Sequence, residues 1–93
     1  MHAVIRAYTG NSELADALVA HQDEVRQVIG GISGFRGYYV LKLAEGTSTV
    51  SLFENAEGAE ESSRAAAAWL KENLPDMNLQ APYVTAGEVV LGF

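Results

Sequence analysis

The chain has 93 residues, 48% of them hydrophobic, with a net charge of −6 and a pI near 4.7. This describes one globular domain, residues 1–93, with a limited core. Its six basic residues are scattered, which excludes the basic stripe that nucleic acid or an anionic membrane needs; without cysteine there are no disulfides, thiol chemistry or thiolate-bound metal.

The segment His2–Tyr8 alternates and predicts a first strand, with Ala3, Ile5 and Ala7 on one face and His2, Val4, Arg6 and Tyr8 on the other. "TGNS" ends it. Asn11 or Ser12 then caps a helix that runs to about Ile29 and stops at Gly30–Gly31. At about 100° per residue, Leu14, Leu18, His21, Val25 and Val28 form one stripe, so His21 lies among apolar neighbours.

"GFRGYYVLKLA" reads as a long second strand. Phe35, Tyr39, Leu41 and Leu43 are expected to face the helices, and Arg36, Tyr38, Val40 and Lys42 to face away. Glu45–Gly46 makes a two-residue turn into a third strand, "TSTVSLFEN". "AEGAEESSRAAAAWLKENLP" is a second helix with acidic residues in its first turn and Pro75 at its end. Its expected inner face carries Ala59, Ser63, Ala66, Ala67, Leu70 and Leu74, with Trp69 toward the edge. "PYVTAGEVVLGF" is a final strand running to the C-terminus, where Gly87 suggests a bulge or a close approach. No apolar run approaches the roughly 20 residues that span a bilayer, and "MHAVIRAYTG" lacks a signal-peptide pattern. A soluble, cytoplasmic protein is the default expectation.

The predicted order is β-α-β-β-α-β. It implies an α+β, ferredoxin-like fold: a four-stranded antiparallel sheet with two helices on one face. Such a sheet turns its second face to water, yet "YYVLKLA", "VSLF" and "EVVLGF" carry apolar residues on both faces. A second copy, sheet against sheet, is the economical cover.

The element order and the "GxxGFxGYYxLK" pattern of Gly31–Lys42 resemble the dimeric α/β-barrel superfamily, and within it the antibiotic-biosynthesis-monooxygenase-like domains. Gly34, Phe35, Gly37, Tyr38 and Tyr39 carry the match; Ser33 stands where that family often has proline. The resemblance implies a homodimeric barrel with a pocket between sheet and helices in each subunit. Characterised relatives include cofactor-independent oxygenases acting on polyketide-like aromatic substrates, and haem-degrading enzymes. The haem degraders use an asparagine, a tryptophan and a helix histidine. Here the first strand has no asparagine, and the second helix has Trp69 but no histidine, so that set does not carry over.

Four groups of residues are site candidates. His21 could serve as acid, base or ligand because histidine titrates near neutrality; it could equally be a packed histidine bonded to a carbonyl or reaching solvent. Trp69 could stack on a planar ligand, or be core. Arg6, Tyr8 and Tyr38, with His2, are expected on the face turned from the helices, the barrel interior. There they could hold a small anion around Arg6, or only fix dimer register. Tyr39 and Phe35 could line a pocket or be ordinary core, as could Tyr83.

No metal-ligand pattern, P-loop, Rossmann fingerprint or nucleophile elbow is present, and no cofactor is implied. Two functions remain open. One is a homodimer that binds a small apolar or aromatic molecule in a pocket lined by Phe35, Tyr39, Trp69 and His21, without chemistry. The other is a cofactor-independent monooxygenase acting on an aromatic or polyketide-like substrate, with His21 as the sole plausible base.

Overall fold

The computed structural model describes all residues, Met1–Phe93. In chain order the elements are β1 (His2–Thr9), α1 (Glu13–Ala20), α2 (Gln22–Gly30), β2 (Phe35–Leu43), β3 (Gly46–Phe53), α3 (Ala56–Asn73), a 3-10 turn (Pro75–Met77) and β4 (Tyr83–Glu88). The strands form one antiparallel sheet in the order β2-β3-β1-β4. This is the expected ferredoxin-like arrangement, open at both edges, with the helices packed on one face.

The first predicted helix is two helices. The break falls at His21 (φ −105, ψ 24), and neither glycine nor proline marks it. The kink sets α1 against β3 and α2 against β2, and Leu14, Leu18, Val25 and Ile29 stay buried across it. The helix start is also held differently from the expectation. Ser12 makes no side-chain cap. Instead, the buried Thr47 hydroxyl of β3 accepts from Ala15 N at 3.1 Å and donates to the Asn11 carbonyl at 2.9 Å. A cap contributed by a residue 32 positions away leaves no local signature.

The two sheet faces are exchanged relative to the sequence reading. Val4, Arg6 and Tyr8 of β1 are buried under the helices, while Ile5 is exposed on the open side. In β2 the reason is a bulge. Phe35 pairs with Phe53 and Gly37 with the next residue, Leu52, so Arg36 is extra. One added residue inverts the alternation. Phe35, Tyr38 and Val40 therefore pack on the core, and Tyr39, Leu41 and Leu43 lie on the open face. Arg36, freed by the bulge, pairs with Glu54 at 2.8 Å. Gly87, by contrast, pairs regularly with Ala3 and a side chain there would meet nothing, so β4 has no bulge at that point. The last strand also ends earlier than expected, at Glu88, leaving Val90, Leu91 and Phe93 exposed beyond it.

α3 is rotated from its predicted stripe. Gly58, Ala59, Ser62 and Trp69 are its buried residues, and Ala67 is exposed. The rotation brings Ser62 over Arg6. Gly58 lets the first turn sit directly on β3, because a Cβ there would lie 2.9 Å from the Phe53 ring and 3.1 Å from the Ser33 carbonyl oxygen. Asn55 caps this helix, its side chain accepting from Gly58 N at 3.1 Å.

Candidate functional site

The centre of the helix-facing side of the sheet is polar. Thr47, Thr49 and Ser51 of β3 alternate inward before Phe53, and Arg6 lies beside them on β1 between Val4 and Tyr8, 2% exposed. The Arg6 guanidinium is held entirely by hydroxyls. Nη1 donates to Ser51 Oγ at 3.1 Å, and Nη2 donates to Ser62 Oγ. Nε and Nη2 both reach Ser63 Oγ, at 3.3 and 3.2 Å. No carboxylate lies within ion-pairing distance of it: the ion pairs of the molecule are His21–Glu24, Arg36–Glu54 and Lys42–Asp16.

A buried cation without a counter-ion is costly, because desolvation is not offset by Coulomb attraction. Burial lowers the Arg6 pKa, and Tyr8 and Tyr38 oppose this. The same burial pushes Tyr8 up and Tyr38 up to about 12, Arg6 pulling both back. Both phenols are therefore neutral at physiological pH and do not neutralise Arg6. Thr49 sits beside Tyr38 and eases its shift slightly, yet the Thr49 hydroxyl completes no hydrogen bond of normal geometry.

Three spaces surround this centre. A small cavity of about 20 Å³, room for about one water, lies between Tyr8, Tyr38, Thr49 and Trp69, with Leu18 and Val25 also lining it. A groove of about 500 Å³ runs between α2 and β2, past Phe35, Tyr39, Val25 and Arg26. A second groove, of about 610 Å³, runs between α3, the connector after it, and β1 and β4. Its floor is Arg6, Tyr8 and Val84. Its walls are Ser63, Leu70 and Leu74 on one side and Leu79 and Pro82 on the other, with Lys71, Asn78 and Gln80 also lining it. This volume is in the range of small-molecule sites.

The predicted site residues do not make a single site. Arg6, Tyr8 and Tyr38 do cluster, but on the helix side rather than in the barrel interior. The expectation failed because a charged residue was assigned to the less buried face, whereas three serines make this arginine an inner one. His21 stands at the helix break, its Nδ1 3.2 Å from Glu24 Oε1, its ring edge-on to Trp69 with centroids 5.4 Å apart. It lines neither groove nor the cavity. Trp69 walls the small cavity. Phe35 packs edge-on against Phe53 at 5.8 Å and borders the α2–β2 groove. Tyr39 borders the same groove from the open face, its ring over Gly37. Tyr83 is exposed on the open face. His2 lies in a smaller groove of about 330 Å³, beside Val4 and Glu60.

Sequence reasoning missed Ser51 and Ser62, and placed Ser63 on the inner face of its helix without a role in a site. The one available signal was the Ser62–Ser63 pair on a helix otherwise rich in alanine, set against a lone arginine in a strand. No group of three histidine, cysteine or carboxylate side chains could hold a metal ion, and no helix is long and apolar enough to cross a membrane.

The fold is that of the antibiotic-biosynthesis-monooxygenase-like, ferredoxin-type proteins. The haem degrader MhuD of Mycobacterium tuberculosis, solved with two haems in its active site, superposes with a TM-score of 0.72 at 18% identity, over 100% of this chain and 99% of that one. A candidate antibiotic biosynthesis monooxygenase from Bordetella bronchiseptica superposes with a TM-score of 0.70 at 14% identity, over 97% of each chain. SnoaB, a cofactor-independent oxygenase from Streptomyces nogalater, gives 0.65 at 11% identity, over 98% of this chain and 94% of that one. No family model and no curated protein matches the sequence.

Proposed function

We propose that the protein is a homodimer that binds a small, largely apolar molecule in the groove between α3 and the sheet. The observation that carries this reading is the groove itself: about 610 Å³, with Leu70, Leu74, Leu79 and Pro82 in its walls and Arg6 at its floor. Its occupant would rest on Tyr8 and Val84 and pack between Leu70 and Leu79.

The dimer reading rests on the open face of the sheet. Tyr39, Leu41, Leu43, Ile5 and Tyr83 stand exposed there. A patch of this kind on a chain this small favours a partner, and a second copy offers a matching surface.

The monooxygenase alternative needs a proton acceptor in the site. His21, the residue expected to provide one, points to Glu24 and Trp69 and lines neither groove. The α3 groove also lacks an imidazole to offer a haem iron, since neither His2 nor His21 lines it. Binding without chemistry is the better-supported reading.

The test is calorimetric titration with 2-naphthoate and its neutral analogue 2-naphthamide. Saturable binding of either, at one site per chain, is expected. Absence of saturable binding for both would contradict the reading.

A further inference from the structure

The groove has an electrostatic character that its apolar walls do not explain. The chain carries 12 acidic residues against six basic ones. Yet the groove is lined by two cations, Arg6 and Lys71, and by no carboxylate. Arg6 is almost fully buried, and its charge has no counter-ion anywhere in the chain.

The orientation of the guanidinium narrows the ligand further. Arginine offers a carboxylate its Nε–Nη2 edge, where two N–H bonds run parallel. In Arg6 that edge is occupied by a single oxygen, Ser63 Oγ, at 3.3 and 3.2 Å. Both contacts are long for charge-assisted bonds. Ser63 is half-buried and is itself a wall of the groove. Its hydroxyl has an alternative acceptor, the Ala59 carbonyl at 3.4 Å. Ser51 holds Nη1, and Ser62 accepts a further N–H of Nη2, so the fork stays fixed when Ser63 turns aside.

We propose that the natural ligand is an apolar or aromatic monocarboxylate whose carboxylate takes the place of Ser63 Oγ on the Nε–Nη2 edge of Arg6. This rests on the α3 groove being the binding site. Lys71 adds a second positive charge at the groove, and Leu70, Leu74, Leu79 and Pro82 take the apolar body. A phosphate monoester is a poorer match, because only one buried cation serves the site.

The same pair of probes tests the proposal in the wild-type protein. 2-Naphthoate is expected to bind at least about tenfold more tightly than 2-naphthamide, since the charge-assisted pair is made by the acid alone. Equal affinities would overturn the carboxylate assignment while leaving the groove as a binding site; binding of neither would remove both. Arg6→Met is expected to abolish the preference for the acid, with circular dichroism reporting that it folds. Ser63→Ala, which clears the edge without touching the charge, gives a second arm independent of that variant. It is expected to keep or improve naphthoate affinity, and a loss of tenfold or more would overturn the placement on that edge. Tighter binding of 2-naphthyl phosphate than of 2-naphthoate would also overturn it.

Discussion

Arg6 and Ser63 meet across the interface between β1 and α3, one hydroxyl oxygen facing two guanidinium nitrogens at 3.3 and 3.2 Å. The contact ties sheet to helix at the edge of the groove, and it leaves a full positive charge without an anion. That imbalance has a consequence for stability. Arg6→Met relieves the desolvation of a buried charge but leaves the buried Ser51 hydroxyl without its donor, so it should cost only about 1 kcal/mol of unfolding free energy. Ser62→Ala should cost more, about 1.5–3 kcal/mol, because it strips an acceptor from a charge that remains buried. Urea denaturation of the two variants measures the difference.

The open face gives a prediction about assembly. Leu41 is 45% exposed in the single chain, so a charge there does not disturb the protomer core. Light scattering should report twice the 9.9 kDa chain mass for wild type and the single mass for Leu41→Glu. A wild-type monomer at micromolar concentration would remove the dimer.

Tyr38 predicts how stability changes in alkali. Its folded pKa is raised to about 12, chiefly by burial, above the ordinary value of 10.0. Between these values the unfolded chain loses the proton and the folded chain keeps it, so stability falls as pH rises. The contribution is complete below pH 10, and about 2–3 kcal/mol is lost by pH 12. Tyr8 shifts in the same direction and adds to the loss. Tyr38→Phe should show a visibly shallower decline in denaturant midpoint over this range.

Gly58 is fixed by packing. A methyl group there meets the fully buried Phe53 ring at 2.9 Å and a backbone oxygen at 3.1 Å, and the oxygen cannot move without shifting the turn before β2. Alanine would gain about 1 kcal/mol of helix propensity in an open helix. Here the clash should prevail, with a net loss of about 1–3 kcal/mol in denaturation.

The sequence carried the element order, because turn residues such as "TGNS", Gly30–Gly31 and "AEGT" separate segments of clear periodicity. The alternation within β1 was also legible, but not which set faced inward. That depended on whether Arg6 would find acceptors, and its acceptors, Ser51, Ser62 and Ser63, lie 45 to 57 positions away. In β2 a single bulge residue, Arg36, reversed every later side chain. Gly37 inside the strand was its only local sign. The two adjacent tyrosines do point to opposite faces, yet with the faces interchanged: Tyr38 to the helices and Tyr39 to the open side. The groove was hidden for a related reason. It is built by the 3-10 turn and the connector Asn78–Pro82, which have no periodicity to read.

Backbone amide NMR of the wild-type protein titrated with 2-naphthoate tests most directly whether the ligand binds in the α3 groove, above Arg6. Binding there shifts Ser63, Leu70, Asn78 and Val84, which line that groove, most strongly. Shifts centred instead on Val25, Arg26 and Gly37, which line the α2–β2 groove, would contradict it.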